Sequence, residues 1–584
     1  MKHFFKYVLA TITGVLILWL LGIILFFSII GTLSKSEKSS VTLKPNSVYQ
    51  LDLKGTLVDR SEENPFLLMA SAFGGEENPV LGLDDILANI DKAKNDPNIK
   101  GIYLKGGELI GGWASIKEIR DALVDFKKTN KFIVAYADNY MQSNYYLASV
   151  ADKILLNPEG LFDFRGLSSE LVFIKNTLDK LGIQMQIVKV GTYKSAVEPL
   201  INTKMSDANR EQVSVYLNSL WKTALNDMAA SRKIPSDSLN ALADKMLMFR
   251  DANEAVKAGL VDTLVYVNEA DSILKKFIGN GFDKKLLVKH SKMNNVPDKK
   301  KFQKDKVAVI YAVGGIDDGD SEGIVSEKLI KTIDEVAEDK MVKAVVFRVS
   351  SPGGSAYGSE QIWHALTNLK KQKPLVVSMG DYAASGGYYI SCMADQIIAQ
   401  PNTITGSIGI FGVIPDLSGL NNKIGLTYDG VKTNKMSDAI SLNRPFRPEE
   451  RELMQSYVDR GYELFVKRCA DGRGKKVDEI KAIAEGRVWT GEDALKIGLV
   501  DKIGGLDEAI SIAAERANLK NYMVKDFPEK EDFATKLMKS FGEDMETKFV
   551  KARLGENYRL FKYLKDVEKL NGIQARLPYE IIIK

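Results

Sequence analysis

Histidine is scarce in this sequence of 584 residues, which contains only His3, His290 and His364. A Ser-His-Asp triad or a histidine-rich metal site would have to use one of these three. They lie before an apolar run, in a basic stretch and in a helical pattern, and none of these settings suggests chemistry. If the chain is a hydrolase, we therefore expect that its general base is not histidine.

Cysteine and net charge are also low. The two cysteines, Cys392 and Cys469, can form one bridge at most and do not have the spacing of metal ligands. The 80 basic residues nearly balance the 76 acidic ones, which leaves a net charge of +4. Such a balance gives no general reason to expect nucleic acid as a partner. We expect neither a metal site nor a cofactor.

One long apolar run is present near the N-terminus, from Val8 to Ile30, with 23 residues and no charge. A bilayer core needs about 20 apolar residues, whereas a cleavable signal peptide has a core of about 7–15 residues followed by a small-residue site. No convincing site of that kind follows here, so residues 1–34 are predicted to be a retained transmembrane anchor. Lysines flank the run on both sides, and their charge therefore favours a cytoplasmic N-terminus only weakly.

The rest of the chain repeats itself. A set of residues recurs 243 positions later without gaps: Tyr145, Tyr146, Ala151, Asp152 and Pro158 reappear as Tyr388, Tyr389, Ala394, Asp395 and Pro401. One constant offset across so many positions indicates a duplication. We predict two copies of one domain at 45–290 and 306–525. A basic linker at 291–305 joins them, and a charged, helix-prone tail at 526–584 follows.

Each copy alternates short β-branched runs with longer amphipathic segments. In the second copy the pattern predicts strands at 307–313, 344–349 and 375–378, and helices at 326–339, 359–370 and 384–394. This alternation is typical of a mostly parallel sheet with helices packed against it. The predicted fold class is therefore α/β.

Two glycine-rich loops of the second copy follow predicted strands, where ligands gather in such sheets. They are residues 350–355 and 380–387, and the second loop contains Ser385. The amides of Gly354 and Gly386 are placed to stabilise an oxyanion while Ser385 attacks. A helix cap beside a glycine turn explains the same pattern without any chemistry.

The first copy does not keep these features. The counterpart of Ser385 is Gln142, and the counterparts of Gly386 and Gly387 are Ser143 and Asn144. A cap or turn that folding requires should be present in both copies. We therefore interpret the loops of the second copy as catalytic.

The chain resembles the signal peptide peptidase A family in four segments: MGDYAASGGYYIS (379–391), RVSSPGGS (348–355), TGSIGI (405–410) and VGTYKSAVEP (190–199). The resemblance covers nearly the whole chain and matches the long, two-repeat bacterial form. It implies two tandem Clp protease/crotonase-like domains of the α/β class.

The resemblance also implies the roles of individual residues: Ser385 is the nucleophile, Lys194 is the general base and Ser407 orients the lysine. The counterpart of Lys194 is Ser437 and that of Ser407 is Phe164, so neither copy alone is expected to be active. Without the resemblance, Lys194 is one solvated lysine among many. A lysine acts as a base only when neutral, so work near neutral pH requires its pKa to fall from about 10.4 to about 7.

The implied function is a membrane-anchored endopeptidase that degrades cleaved signal peptides and similar apolar peptides. The resemblance further implies a homotetramer in the inner membrane, with the catalytic domains on the periplasmic side. Two alternatives stay open. A crotonase-like acyl-CoA enzyme would share the oxyanion loop but needs no serine at 385, no anchor and no lysine segment. A non-catalytic membrane scaffold is disfavoured because Ser385, Lys194 and Ser407 are all intact.

Overall fold

A computed structural model describes residues 2–37, 40–61, 79–279, 283–298, 302–317, 323–530 and 572–576. The α/β prediction is confirmed, because strands and helices alternate and the two large sheets are mostly parallel. The strands Phe132–Ala137 and Val342–Ser351 are mostly apolar and are buried along most of their length, as expected for sheets covered on both faces.

The first copy is built on a parallel sheet. The strands of residues 47–289 are β1 (Ser47–Val58), β2 (Val80–Gly82), β3 (Ile99–Ile110), β4 (Phe132–Ala137), β5 (Lys153–Leu156), β6 (Gln184–Lys189), β7 (Thr263–Leu264) and β8 (Leu287–Lys289). The sheet order is β2-β1-β3-β4-β5-β7, and β8 also pairs with β1. Strand β6 leaves this sheet and joins strands of the second copy.

Helices connect these strands. They are α1 (Lys2–Glu37), α2 (Leu83–Asn95), α3 (Trp113–Lys127), α4 (Gln142–Ala148), α5 (Lys175–Leu181), α6 (Glu198–Ile201), α7 (Asp207–Arg232), α8 (Ser236–Ala243), α9 (Asn253–Lys257), α10 (Val267–Ile278) and α11 (His290–Asn294). Helix α1 contains the long apolar run. Across the part of the chain that the structure describes, no helix meets the length and apolarity needed to cross a membrane. The transmembrane anchor therefore stays a prediction.

The second copy is built on a second sheet. Its strands and those that follow are β9 (Lys306–Val313), β10 (Val342–Ser351), β11 (Gly353–Ser355), β12 (Leu375–Ala384), β13 (Gln396–Ala399), β14 (Ile404–Gly406), β15 (Phe411–Asp416), β16 (Val488–Thr490), β17 (Lys502–Ile503), β18 (Met523–Phe527) and β19 (Gly572–Arg576). The sheet order is β16-β14-β12-β10-β9-β18, and β13 connects β12 to β17. Its pairings are parallel except for β14 with β16.

The helices of this copy are α12 (Ser326–Glu338), α13 (Ala356–Lys370), α14 (Gly386–Tyr389), α15 (Ser418–Lys423), α16 (Pro448–Arg473), α17 (Val477–Lys481), α18 (Gly491–Ile497) and α19 (Leu506–Arg516). The helix predicted at 384–394 is wrong in its extent, since α14 is a single turn. Strand β12 runs on to Ala384 because Ala383 and Ala384 pair with β14.

A small antiparallel sheet joins the copies, in the order β11-β19-β15-β6. Strand β6 of the first copy pairs with β15 of the second over six residue pairs. The prediction of a helical tail at 526–584 is wrong for its described residues. Residues 526–527 end β18, and 572–576 form β19 because strands on both sides supply its hydrogen-bonding partners. The rest of the predicted tail beyond Lys530 lies outside the described residues.

Buried ion pairs also join the copies. The Arg348 guanidinium in β10 lies 2.9 Å from Asp59 and 3.0 Å from Glu118, which both belong to the first copy. All three residues are at most 6% exposed. The Asp381 carboxylate accepts hydrogen bonds from the Ser115 amide at 2.9 Å and hydroxyl at 2.6 Å. These contacts fix one copy against the other.

Candidate active site

Two serines lie side by side because two parallel strands end in register. Ala384 at the end of β12 pairs with Gly406 at the end of β14, and the next residues are Ser385 and Ser407. Both serines have positive φ angles, of 55° and 51°. Such conformations cost of order 1–3 kcal/mol each and cluster at active sites. The strands thus hold both hydroxyls at the carboxyl edge of the sheet.

Lys194 comes from the other copy, in the loop after β6. The Tyr193 amide donates to the Glu485 carbonyl at 2.9 Å, which ties this loop to the second copy. The lysine side chain runs through a narrow slot between Gly409 and Gly486. A Cβ atom on Gly486 would lie 2.7 Å from the Lys194 Cβ, and one on Gly409 would lie 3.3 Å from its Cδ. Lys194 is fully buried as a result.

The structure brings the three predicted side chains together. Lys194 Nζ lies 2.8 Å from Ser385 Oγ, 3.1 Å from Ser407 Oγ and 3.0 Å from the Ser407 carbonyl oxygen. Ser385 and Ser407 are, like the lysine, fully buried. The cross-repeat contact therefore forms within one chain.

This set of partners suits a neutral amine. A neutral lysine has two N–H donors and one lone pair. The Ser407 carbonyl oxygen can only accept, and Ser407 Oγ can accept the second N–H, so the lone pair is left for the Ser385 hydroxyl proton. Within the described residues, no carboxylate forms an ion pair with Lys194.

Burial supplies the electrostatic condition for that state. Desolvation lowers the pKa of Lys194 well below its usual range, because the charged form loses its hydration without gaining an opposite charge. The Phe411 ring, whose centroid is 6.0 Å from Nζ, helps to exclude water from the amine. The lysine is thus prepared to accept a proton from Ser385.

Gly354 and Gly386 both lie beside strand β19. The Gly353 carbonyl accepts from the Ile316 amide at 3.0 Å, and the Ser355 amide donates to the Ile316 carbonyl at 2.8 Å. Because groups alternate along a strand, the Gly354 N–H points the other way, toward β19, where Ala575 lies opposite. A Cβ on Gly386 would lie 3.0 Å from the Ala575 carbonyl oxygen. Both glycines therefore lie next to the backbone of Ala575.

Three features of the site were missed from the sequence. The first is the Gly409 carbonyl oxygen, which lies 3.5 Å from Ser385 Oγ. The second is Gly486, which lines the slot that holds the Lys194 side chain. Strand β19 fills the space between β11 and β15. Gly409 lies within the segment TGSIGI, but no role was predicted for it, and residues 572–576 contain no recognisable motif.

The described histidines lie away from the two serines. His290 contacts Tyr49 at 2.7 Å, and His364 lies 3.2 Å from Asn368. The thiols of Cys392 and Cys469 are buried. Among the residues that the structure describes, no group of three or more histidine, cysteine, aspartate or glutamate side chains is arranged to hold a metal ion.

Comparisons with known proteins identify the family of the chain. The profile of Peptidase family S49 matches residues 125–279 and 367–520, one match in each copy. "Protease 4" of Haemophilus influenzae is 37% identical over 87% of this chain and 85% of its own length. "Serine protease SPPA, chloroplastic" of Arabidopsis thaliana is 34% identical over 82% of this chain and 70% of its own. "Putative signal peptide peptidase SppA" of Enterococcus faecium is 33% identical over 38% of this chain and 67% of its own.

A solved structure of a ClpP1 mutant from Listeria monocytogenes also matches, with 14% identity, a TM-score of 0.24, and coverage of 35% of this chain and 94% of that one. A likeness this weak carries no argument, so the Clp protease/crotonase-like comparison stays a prediction. The two profile matches and the long alignments suffice for the family. The chain belongs to Peptidase family S49 and is a protease of the serine type.

Proposed function

We propose that the chain is a membrane-anchored endopeptidase that cleaves apolar peptides with a dyad of Ser385 and Lys194. One observation carries this proposal: a fully buried lysine amine lies 2.8 Å from the serine hydroxyl, without a carboxylate partner among the described residues. A serine hydroxyl is a weak nucleophile until a base removes its proton. Here the base comes from one repeat and the nucleophile from the other.

The reaction follows from this geometry. Ser385 Oγ attacks the peptide carbonyl while its proton moves to Lys194 Nζ, and the amides of Gly354 and Gly386 stabilise the oxyanion. Nζ then gives the proton to the leaving amine, which departs and leaves an acyl group on Ser385. A water molecule that loses a proton to Nζ hydrolyses this ester. The Ser407 hydroxyl and carbonyl hold the amine in place through both steps.

The test is hydrolysis of a fluorogenic apolar peptide ester by the full-length protein. We expect Ser385→Ala and Lys194→Ala each to lower kcat/KM by at least about a thousandfold. Ser391→Ala and Lys204→Ala are matched controls, since Ser391 is a buried serine that donates to the Gly387 carbonyl and Lys204 is exposed. If Lys194→Ala keeps full activity while Ser385→Ala is inactive, another group is the base. If the wild type is inert and forms no acyl-enzyme, a non-catalytic scaffold replaces the peptidase.

Cleaved signal peptides are the proposed substrates. An extended peptide can pair its backbone with β11 and β15, whose facing edges flank Ser385. The name of the Enterococcus relative supports this class. Peptides that copy signal-peptide apolar cores should be cut with higher kcat/KM than polar peptides of equal length. Equal rates for the two sets would contradict this specificity.

The anchor and the location form a further part of the proposal. The 23 uncharged residues from Val8 to Ile30 are long enough for a bilayer core of about 20 residues. We propose that they hold the protein in the inner membrane with both copies on the periplasmic side. The full-length chain should sediment with membranes and resist extraction at high pH, whereas a variant without residues 1–34 should not. Extraction of the full-length chain would contradict the anchor.

The proposed assembly is a homotetramer that encloses the active sites, without nucleic acid as a partner. The family resemblance supports it, and the structure describes a single chain. Light scattering of the purified full-length protein measures the subunit number. A stable monomer with full peptidase activity would contradict the assembly.

A further inference from the structure

Four side chains form a clamp between the two copies close to the active site. Tyr193 and Glu211 belong to the first copy, and Arg487 and Trp489 belong to the second. The guanidinium carbon of Arg487 lies over both aromatic rings, 4.8 Å from the centroid of Tyr193 and 4.7 Å from that of Trp489. A guanidinium in this position is attracted to the negative face of each ring.

Hydrogen bonds close the clamp. Arg487 Nη2 donates to one carboxylate oxygen of Glu211 at 3.0 Å, and Arg487 Nη1 donates to the Tyr193 hydroxyl at 3.3 Å. That hydroxyl donates to the other carboxylate oxygen of Glu211 at 3.2 Å. The planar guanidinium thus stacks on rings and donates hydrogen bonds at the same time, which a lysine ammonium does not do.

Arg487 touches both sides of the lysine through different parts of the residue. Its side chain contacts Tyr193, the residue that directly precedes Lys194. Its backbone carbonyl accepts from the Ser407 amide at 2.7 Å, and Ser407 contacts the Lys194 amine through its hydroxyl and its carbonyl oxygen. The position of Arg487 therefore links the loop of the lysine to the serine beside it.

The slot around the lysine depends on the same stretch of backbone. Gly486, which lines the slot, is the residue before Arg487, and its amide donates to the Ile408 carbonyl at 2.8 Å. The slot is narrow, since a Cβ on Gly486 would lie 2.7 Å from the Lys194 Cβ. A shift of Arg487 would move this wall and admit water to the lysine.

We propose that Arg487 is a positioning residue for the reaction and acts through Tyr193 and Ser407. Its side chain holds the lysine loop against the strand beside Ser407. This contact keeps the Lys194 amine away from water and 2.8 Å from Ser385 Oγ. The inference rests on the proposed function and adds to it a residue outside the dyad.

The experiment measures hydrolysis of the fluorogenic ester by the full-length protein across pH. Arg487→Met should lower kcat by about tenfold with little change in KM, because a displaced amine slows the chemical step more than it weakens binding. Water in the loosened slot should also raise the pKa of Lys194 toward its ordinary value, since burial is what lowers it. The midpoint of kcat/KM against pH should therefore shift upward.

Arg60→Met is the matched control. Arg60 is another half-buried arginine that crosses between the copies, with its guanidinium carbon 5.1 Å from the centroid of the Tyr311 ring. Its Nη1 donates to the Pro528 carbonyl at 2.6 Å, in a different part of the interface. This variant should keep the wild-type kcat and pH midpoint.

A double-mutant cycle tests whether Arg487 acts through Tyr193. Tyr193→Leu removes the same contact from the other side and should give a similar loss of kcat. Because the two residues share one interaction, the double variant should be no slower than the slower single variant. Losses that multiply would overturn the route through Tyr193.

The other outcomes are equally distinct. An Arg487→Met variant with wild-type kcat and pH midpoint overturns the positioning role and leaves the proposed function intact. A lower kcat without an upward shift of the midpoint contradicts the exclusion of water, and with it the proposal. Equal losses in Arg487→Met and Arg60→Met also overturn it, because a general weakening of the interface would then explain both. A wild type that neither hydrolyses the ester nor forms an acyl-enzyme overturns the proposed function as well.

Discussion

At the scale of the residue, the proposed chemistry depends on Lys194. Its amine is buried with two hydroxyls and a carbonyl oxygen as neighbours. Desolvation lowers its pKa, so the neutral form is populated at a lower pH than in a free lysine. In the proposed mechanism this neutral amine is the base.

The first prediction concerns pH. If the neutral amine of Lys194 is the base, as we propose, kcat/KM should rise with pH through its lowered pKa and level off well below about 10.4, where a free lysine titrates. The measurement is ester hydrolysis across pH, with substrate far below KM. A rate that continues to rise until the usual lysine pKa would mean that burial does not set the charge of this amine.

The second prediction concerns the glycine slot. Gly486→Ala should lower kcat by about a hundredfold, because a Cβ 2.7 Å from the Lys194 Cβ must displace the lysine from Ser385. Gly474→Ala is the control. Gly474 has a φ of 61°, close to the 75° of Gly486, but no atom lies within 4 Å of the position that a Cβ would take. Both variants should lose about 1–2 kcal/mol of stability from the positive φ. Equal losses of activity would show that backbone strain, not the slot, is responsible.

The roles of single residues were not all equally predictable from the sequence. Ser385 follows a strand in a glycine loop that only one repeat has, so a pattern within the chain pointed to it. The role of Lys194 was predicted only from the family resemblance. Its burial depends on residues more than 200 positions away, such as Gly409 and Gly486. No local pattern encodes such a contact. The same reason explains why Ala575 was missed.

At the scale of the element, helix α7 supports the lysine loop. The Gln212 amide on this helix is buried and donates to the Tyr193 carbonyl at 3.2 Å and to Ser195 Oγ at 3.0 Å. Its oxygen accepts from the Val488 amide at 3.2 Å, at the start of β16. One side chain thus connects the loop of Lys194 to the strand beside Ser407.

The third prediction follows from that connection. Gln212→Leu keeps the volume but leaves the Val488 amide without its buried partner, which should cost about 1–3 kcal/mol. The loosened loop should lower kcat by about tenfold with little change in KM. Asn218→Leu, an exposed position on the same helix, should change neither stability nor kcat appreciably. Urea unfolding measures the stability of each variant, and steady-state kinetics measures kcat and KM. A Gln212→Leu variant with wild-type kcat would contradict the positioning role.

Elements were predicted well where their patterns are local. The strand predicted at 307–313 is observed as β9, Lys306–Val313, and the helix predicted at 326–339 as Ser326–Glu338. The extent of the helix after Ser385 was wrong because pairing with β14 extends β12 as far as Ala384. Tertiary pairing, which a single sequence does not display, decides such boundaries.

At the scale of the whole molecule, the two repeats act as one unit. The contact between Lys194 and Ser385 crosses from one to the other, and so do the pairing of β6 with β15 and the ion pairs of Arg348. Because the serine and the lysine belong to different repeats, their contact depends on a rigid interface between the repeats. The constant offset in the sequence predicted the duplication, but it did not predict how the two copies pack against each other.

The fourth prediction tests that interface. Arg348→Met leaves the Asp59 and Glu118 carboxylates buried without their cation, which should cost about 3–5 kcal/mol of stability. Lys496→Met removes exposed ion pairs with Glu492 and Asp493 and should cost about 1 kcal/mol or less. Urea unfolding followed by tryptophan fluorescence compares them. Equal shifts in both variants would show that Arg348 does not hold the repeats together.

The most direct test of the cross-repeat dyad is the mass and position of the acyl-enzyme. The full-length protein is mixed with an apolar peptide ester at pH 7, quenched in acid, digested and sequenced by mass spectrometry. We expect the acyl group on Ser385 in the wild type, and an acylation rate at least about a thousandfold lower in Lys194→Ala. An acyl group on another residue, or an equal rate in Lys194→Ala, would contradict the dyad.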